Sequence, residues 1–490
     1  MTTIALSLVS HTNAGKTTLA RTLLGRDIGE VRDEAHVTFE AEQQPLLQSP
    51  QGDVLALWDT PGFGDSARLA RRLAMAGNPI GWFLTEVWDR FRDRAFWSSQ
   101  RAIRNVADQA DVVLYLVNAS EAPEDVAYLD AELQVLTLLG KPVIALLNQL
   151  GPPMAPEAEN AELQRWRSRL AQAPIVREVL ALDAFARCWV QEGVLLQAVQ
   201  RVLPPPQAEA MQRLQAEWQR EREAVWRDAM AVLAEALARA ASDHETVGDT
   251  GWGQRLQQVG HKLGLRAADA SPLPVPQQTA LQALARRLQD DLRERTDTLI
   301  RLHGLEGRAA QVVLQRLADQ VSVTQPLDET QAGLWGGIVT GALTGLKADV
   351  LSGGLTLGGG LLVGSVLGAL GGIGVARGVN KARGVEAAEL RWQPAALQEL
   401  AATLLLVYLA VAHYGRGRGQ WSESEHPPFW RETVEAVVAE DAGTLAALWP
   451  ADGQSADTSA LAAALQPWLQ QRCAGLLQRL YPHAGWVAAV

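Results

Sequence analysis

Cysteine is almost missing. Cys188 and Cys473 are the only two in 490 residues, which excludes a disulfide framework and a cysteine-rich metal cluster and suits a reducing cytoplasm. Positive charge is also short: 44 Lys and Arg stand against 55 Asp and Glu, for a net charge of −11. That balance gives no electrostatic footprint for nucleic acid. The eight histidines form no metal-spacing motif. A strand is expected almost from Met1, leaving no room for a secretory leader before it. A KH-type RNA module needs a three-stranded sheet and a GXXG loop in basic surroundings, and that arrangement is not legible. Sixteen tryptophans and 48% apolar residues raise the question of a surface that meets a membrane or a partner.

What is present is organised around Ser10-His11-Thr12-Asn13-Ala14-Gly15-Lys16-Thr17-Thr18. An apolar strand-like run, Ile4 to Val9, precedes it, and a helix-like run, Leu19 to Leu24, follows. A turn between strand and helix points successive amides inward, so the loop from Ser10 to Thr18 is read as a phosphate cradle at a helix N-terminus. Gly15 lets the backbone approach, Lys16 reaches the β- and γ-phosphates, and Thr17 offers its hydroxyl to magnesium. Ser10 stands where glycine is usual. His11 reads as structural or exposed rather than as a base.

Further signals follow in order. Thr38, in or after a loop over 26–37, is placed to close over magnesium and the γ-phosphate as a switch. Strands over 37–48 and 53–58, joined by Ser49-Pro50-Gln51-Gly52, lead into Asp59-Thr60-Pro61-Gly62. Asp59 can hold magnesium through water, and Gly62 can offer its amide to the γ-phosphate. Lys16, Thr38 and Gly62 are thus the groups expected to respond to that phosphate. Phe63 cannot orient attacking water as a glutamine would. Residues 66–107 read as a helical insertion in which arginines alternate with Trp82, Phe83, Trp88, Phe91 and Trp97. Strands are expected at 111–118, 142–147 and 176–182, with a helix at 127–139. Asn148 and Gln149 end the fifth strand, where Asn148 is placed to meet a base edge. The carboxylate that guanine recognition wants three residues later is replaced by Gly151, and Asp183 is the candidate substitute acceptor.

These motifs resemble the translation-factor-related small GTPases, especially the Era and TrmE branch. The resemblance rests on Ser10 to Thr17, Thr38, and Asp59 to Gly62, and half of the base motif is kept at Asn148. It implies a P-loop fold, GTP and GDP as ligands, magnesium, and hydrolysis of GTP. Asn13 matches an asparagine that in some relatives is suited to a potassium ion. The whole chain resembles a bacterial family with a GTPase domain and an uncharacterised helical C-terminal domain.

The expected fold is therefore an α/β P-loop G domain with a mostly parallel sheet over 1–205, followed by a large all-α region. That region divides into a long-helix, coiled-coil-like bundle at 206–328, a glycine-rich apolar hairpin at 329–390 and a C-terminal helical part at 391–490. Pro204-Pro205-Pro206 marks the first boundary. Long helices are expected over 208–242 and 278–320, packed antiparallel. Gly333, Gly337, Gly341 and Gly345 recur every fourth residue, as do Gly360, Gly364, Gly368 and Gly372. Such stripes let helix backbones approach closely. Residues 350–376 carry no charge, long enough for a bilayer, and Arg377, Lys381 and Arg383 follow. A membrane hairpin, a regulated insertion and a buried soluble hairpin are all compatible with this pattern. Three accounts of the chain stay open: a GTP-driven switch coupled to a helical effector domain, a dynamin-like membrane-active GTPase, and a non-catalytic interaction protein stabilised by nucleotide. The partners they imply are guanine nucleotide, an effector protein, the cytoplasmic face of the inner membrane and a second copy of the chain.

Overall fold

The computed structural model describes residues 1–12, 14–25, 42–73, 94–150, 156–183, 188–247, 275–305, 375–379, 388–392, 394–414, 428–449, 457–482 and 484. Contacts divide the chain into two compact units. The first is Met1–Ala224 with Ala412–Pro427 and Leu480–Val490; the second is Val225–Val411 with Pro428–Arg479.

The first unit is built on six strands. They are β1 (Thr3–Ser10), β2 (Glu42–Gln48), β3 (Val54–Asp59), β4 (Val112–Asn118), β5 (Val143–Asn148) and β6 (Val176–Ala181). Their order is β2-β3-β1-β4-β5-β6. All pair in parallel except β2, which runs antiparallel to β3. The central strands are covered on both faces, so they read as unbroken apolar runs. Val112 to Val117 and Val143 to Leu147 are buried throughout. The described residues of this segment form the helices α1 (Lys16–Leu24), α2 (Ser66–Leu73), α3 (Arg94–Gln109), α4 (Leu129–Leu139), α5 (Pro156–Leu170) and α6 (Trp189–Val202). Between them and the sheet lies one core cluster with Phe63, Phe96, Ile103, Tyr115 and Trp166 fully enclosed. The 49–52 turn forms as expected: Gly52 donates to the Ser49 carbonyl at 2.9 Å and sits at φ 83°.

The next helix, α7 (Pro205–Ser242), runs 38 residues. Here the structure departs from the boundary expected at the prolines. Pro205 starts the helix, where its fixed φ and missing N–H cost nothing, and the division between units falls within α7 at Ala224 and Val225. The first part of α7 is held by two side-chain contacts. Gln207 Nε2 donates to Asp111 Oδ1 at 2.8 Å, and Arg213 Nε donates to Asp53 Oδ2 at 2.7 Å. Asp53 is buried and also accepts from the Thr2 amide and the Ser49 hydroxyl. The Arg213 guanidinium, chiefly, holds its carboxyl down to about 2. A carboxyl depressed by folding stabilises the fold above the ordinary carboxylate range and loses that contribution as pH falls toward its folded value. The stability gap between wild type and Asp53→Asn should therefore be full at neutral pH and close as pH approaches about 2; urea unfolding across that range measures it.

In the second unit, α7 continues beside α8 (Val275–Leu302). Two ion pairs cross between the helices, Asp291 with Arg239 at 3.3 Å and Arg295 with Glu235 at 2.7 Å, and Arg287 meets Asp243, just past the end of α7, at 2.9 Å. Numbers rise on one helix as they fall on the other, so the expected antiparallel packing is present. A small sheet joins them, made of β7 (His244–Val247), β8 (Val375–Val379) and β9 (Ala388–Trp392) in the antiparallel order β7-β9-β8. Within this mainly helical region the described residues thus also hold a three-stranded sheet, and 375–379 and 388–390, placed in the expected hairpin, are strands. Arg377, read as a residue for lipid headgroups, pairs with Leu390 in that sheet. The glycine stripes at 333–345 and 360–372 lie outside the described residues.

The C-terminal helices are α9 (Pro394–Ala412), α10 (Pro428–Ala439), α11 (Ala442–Leu448) and α12 (Thr458–Leu480). Among the described residues, α9 is the one helix long and apolar enough to cross a membrane, and 72% of its most apolar 18 residues are buried. Cys473 is buried beside the Trp226 indole, 3.4 Å away, and burial pushes its thiol up to about 12. Neither cysteine forms a disulfide.

Candidate nucleotide site

The carboxyl ends of β1 and β3 lie side by side, with Leu8 opposite Asp59. Both strands release their chains at this edge of the sheet, where open α/β folds place their ligands. β1 ends at Ser10 and the chain turns into α1 through Gly15. That glycine has φ 87° and ψ 23°, a left-handed conformation that L side chains avoid. A Cβ there would also lie 2.6 Å from Nδ2 of Asn148. Glycine is required twice over, by backbone and by neighbour, and the turn it makes leaves the first amides of α1 facing the strand ends.

Four charged or hydroxyl groups lie at this turn, in two pairs. Lys16 is buried, and its Nζ donates to the Ser10 hydroxyl at 3.0 Å. Thus the residue standing in place of the usual glycine is the one that orients the lysine. Burial pushes the ammonium below its ordinary value, while the carboxylates of Asp59 and Glu132 pull it back up. Thr17 Oγ1 donates to Asp59 Oδ2 at 2.6 Å. A hydroxyl and a carboxylate oxygen at one point form a hard-oxygen pair suited to magnesium.

The segment after Asp59 is fastened to the loop from several sides. Thr60 Oγ1 donates to the Leu8 carbonyl at 2.5 Å, the Phe63 amide donates to Ser10 O at 2.9 Å, and Thr12 Oγ1 donates to Phe63 O at 2.8 Å. From α3, Ser98 Oγ donates to the Gly62 carbonyl at 2.8 Å, while Ser99 Oγ accepts from the Gly64 amide at 3.1 Å. A Cβ at Gly62 would lie 3.1 Å from both Lys16 Nζ and Thr12 Cα. Gly62 therefore sits directly against the lysine. The Phe63 ring is fully enclosed in the core.

On the far side, Asn148 is fully buried and its Nδ2 donates to the Ala14 carbonyl at 2.9 Å. The amide expected to meet a base thus braces the phosphate loop. Gln149, at φ 59°, lies beside Gly15 as well. Asp183 Oδ2 accepts from the Leu150 amide at 2.9 Å, which makes it a support of the loop after β5. Thr18 is buried in the first turn of α1. Asn13, Thr38 and Gly151 lie outside the described residues.

Several participants were not anticipated. His11 pairs with Glu132 at 2.8 Å and stacks on Tyr128, with ring centres 4.1 Å apart. Its partner was not foreseen. Ser66, Ser98 and Ser99 were also missed, being serines in a charged helical stretch with no local signature. Glu132 did leave a trace: it follows Leu129 by three residues and precedes Leu136 by four, so it falls on the apolar stripe of α4.

Comparison with known proteins gives the following. Residues 167–474, more than half of the chain, match the family model described as a domain of unknown function, DUF3482. Residues 5–149 match the model described as 50S ribosome-binding GTPase. No curated protein matches the chain. Among solved structures, an Aquifex aeolicus Era variant bound to GDP·AlF4⁻ is 20% identical over 42% of this chain and 58% of its own, with a TM-score of 0.30. Era in complex with MgGDPNP and a 16S ribosomal RNA segment is 19% identical over the same shares, also at 0.30. A probable GTP-binding protein engB is 16% identical over 40% of this chain and 97% of its own, at 0.25. The match spans less than two thirds of the Era chains' length.

Proposed function

We infer the function from this premise: the chain belongs to the DUF3482 family, whose model covers most of its length, and carries a P-loop GTPase domain ahead of that region. The protein is a GTP-binding switch that hydrolyses GTP to GDP and phosphate, with the helical region as its effector part. The observation that carries this reading is the turn through left-handed Gly15, with Lys16 bonded to Ser10 and Thr17 bonded to Asp59 beside it.

The residues present fit the nucleotide and its metal. The space next to Gly15 admits no Cβ, as a backbone cradle for phosphate requires. A desolvated ammonium short of its ordinary basicity gains from an anion beside it. Ser10 to Thr18, with Asn13 among them, would hold the phosphates; Thr17, Asp59 and Thr38 would hold magnesium. The metal supplies charge neutralisation at the β- and γ-oxygens. Gly62 would offer its amide to the γ-phosphate, and loss of that phosphate would release the segment that Ser98 and Ser99 now fasten. Potassium at Asn13 would add positive charge at the same place.

Base choice would fall to Gln149 and backbone groups of the loop after β5, which Asn148 and Asp183 hold in place. With Gly151 in place of a carboxylate, discrimination against ATP should weaken by about 1–3 kcal/mol, the usual penalty for one buried polar contact left unmade. GTP stays favoured. The uncharged run 350–376 supports association of the helical region with the cytoplasmic face of a membrane, whether as a switch or in a dynamin-like role. Self-association and binding of an effector protein go with the same region.

The test is turnover of GTP and ATP by the full chain in potassium and in sodium salts. We expect faster GTP hydrolysis in potassium and slower ATP hydrolysis in both. Strict ATP preference would reject the guanine assignment, and equal rates in the two salts would reject the ion at Asn13. Flotation of the same protein with anionic liposomes, in GDP and in a non-hydrolysable GTP analogue, tests the membrane role. Protein that stays soluble with both nucleotides rejects it.

A further inference from the structure

We propose that Glu132 is a positioning residue that latches the segment after Asp59-Thr60-Pro61-Gly62 to the phosphate loop, through one carboxylate oxygen shared by His11 and Ser66. Its kinetic readout rests on the hydrolytic reading above; its structural readout does not.

Glu132 lies on α4 and is completely buried. A carboxylate there needs several donors to offset its lost hydration, and three side chains from three different elements supply them. His11 of the phosphate loop bonds Oε1 at 2.8 Å. Ser66, the first residue of α2, donates to the same Oε1 at 2.6 Å. Tyr115, fully buried in β4, donates to Oε2 at 2.7 Å. Tyr115 sits in a central strand, and α4 packs on the core through Leu129, Leu133 and Leu136. Tyr115 and α4 therefore give the carboxylate a fixed reference. His11 is held too, stacked on Tyr128. Ser66 is the partner at the start of a helix that follows directly on the segment next to Lys16.

The consequence is geometric. One oxygen atom carries both the loop that cradles phosphate and the helix that follows Gly62. While Ser66 stays on Oε1, the chain from Asp59 to Ser66 is fixed at both ends, at Thr17 and at Glu132. When Ser66 leaves, Glu132 keeps His11 and Tyr115, so the buried charge stays partnered and release is not prohibitive. Hydrogen bonds to a charged group are the strong ones, so this contact suits a two-position element.

The experiment uses the full chain with Ser66→Ala, Ser66→Thr, Glu132→Gln and the Ser66→Ala/Glu132→Gln double variant. Amide hydrogen exchange is followed over residues 64–69. Ser66→Ala and Glu132→Gln should each speed exchange there by about tenfold, the size of one charge-assisted contact. The double variant should exchange no faster than the faster single one, and Ser66→Thr, which keeps the hydroxyl, should restore protection. Amides of β4 and β5 should not change. In turnover, Ser66→Ala should lower the saturated rate about tenfold with GDP affinity unchanged. Unchanged exchange in Ser66→Ala, additive effects in the double variant, or a parallel fall in GDP affinity would overturn the latch. If Glu132→Gln fails to fold, Ser66→Ala and its threonine rescue decide the matter alone. If wild type hydrolyses no nucleotide, the proposed function fails, and hydrogen exchange still judges the latch.

Discussion

Lys16→Ala is expected to bind GTP and GDP at least about a hundredfold more weakly, taking roughly 3 kcal/mol for a charge-assisted contact in a desolvated site. The less obvious part of the expectation concerns stability. Lys16 is buried with its ammonium held below its ordinary basicity, so the nucleotide-free fold bears a desolvation cost that phosphate would offset. Removing the ammonium removes that cost along with the ligand contact. The variant should therefore melt no lower than wild type without nucleotide. With nucleotide at about a hundredfold above its dissociation constant, wild type should gain about 2.7 kcal/mol by mass action, and the variant close to none.

Thermal melts with and without Mg-GTP, beside a titration of each protein, check both halves. Unchanged affinity in Lys16→Ala would remove the assigned loop from consideration. A variant destabilised without nucleotide would show instead that Lys16 supports the fold through Ser10, Asp59 and Glu132. Thr17→Ala serves as the companion. Its hydroxyl meets Asp59 rather than the lysine, so it should lose the magnesium dependence of binding while keeping most metal-free affinity.

The phosphate loop was legible because its information is local: a strand, a turn that only glycine permits and a helix lie within about twenty residues. The parallel strands were legible because burial on both faces leaves runs such as Val112 to Val117 with no polar interruption. What was not legible depends on contacts far apart in the chain. Glu132 meets His11 across 121 residues, and Ser98 meets Gly62 across 36. Serines carry no periodic signal, whereas the place of Glu132 on an apolar stripe did. The small sheet escaped for a similar reason: its strands are four and five residues long, and β7 lies far before β8 and β9 in the chain. Pro205 misled as a boundary because proline at the first helical position and proline in a linker look alike in sequence. The amide of Asn148 was read toward the base, and in the fold it donates to the Ala14 carbonyl.

That bond sets up the second large effect. Gly15→Ala meets two obstacles that can be separated. The first is backbone strain: at φ 87° an L residue costs roughly 1–2 kcal/mol. The second is contact: the new methyl would fall 2.6 Å from Asn148 Nδ2, closer than real Cβ atoms come. Asn148 is fully buried on the Ala14 carbonyl, so it has no exposed space to retreat into. Overpacking of this kind costs about 1–3 kcal/mol, and an amide pushed off its acceptor adds the penalty of an unmade buried hydrogen bond. Gly25→Ala supplies the control. It has φ 64° and nothing within 4 Å of the added carbon, so it carries the strain alone, about 1 kcal/mol. Chemical unfolding should show Gly15→Ala destabilised by about 2–5 kcal/mol and Gly25→Ala by far less, with nucleotide binding lost only in the former. Adding Asn148→Ala to Gly15→Ala opens the space and should recover part of the stability, whereas Asn148→Ala added to Gly25→Ala should only destabilise further. Equal losses at the two glycines would mean that Asn148 yields freely, and that the phosphate loop is shaped by its own backbone rather than by the brace from β5.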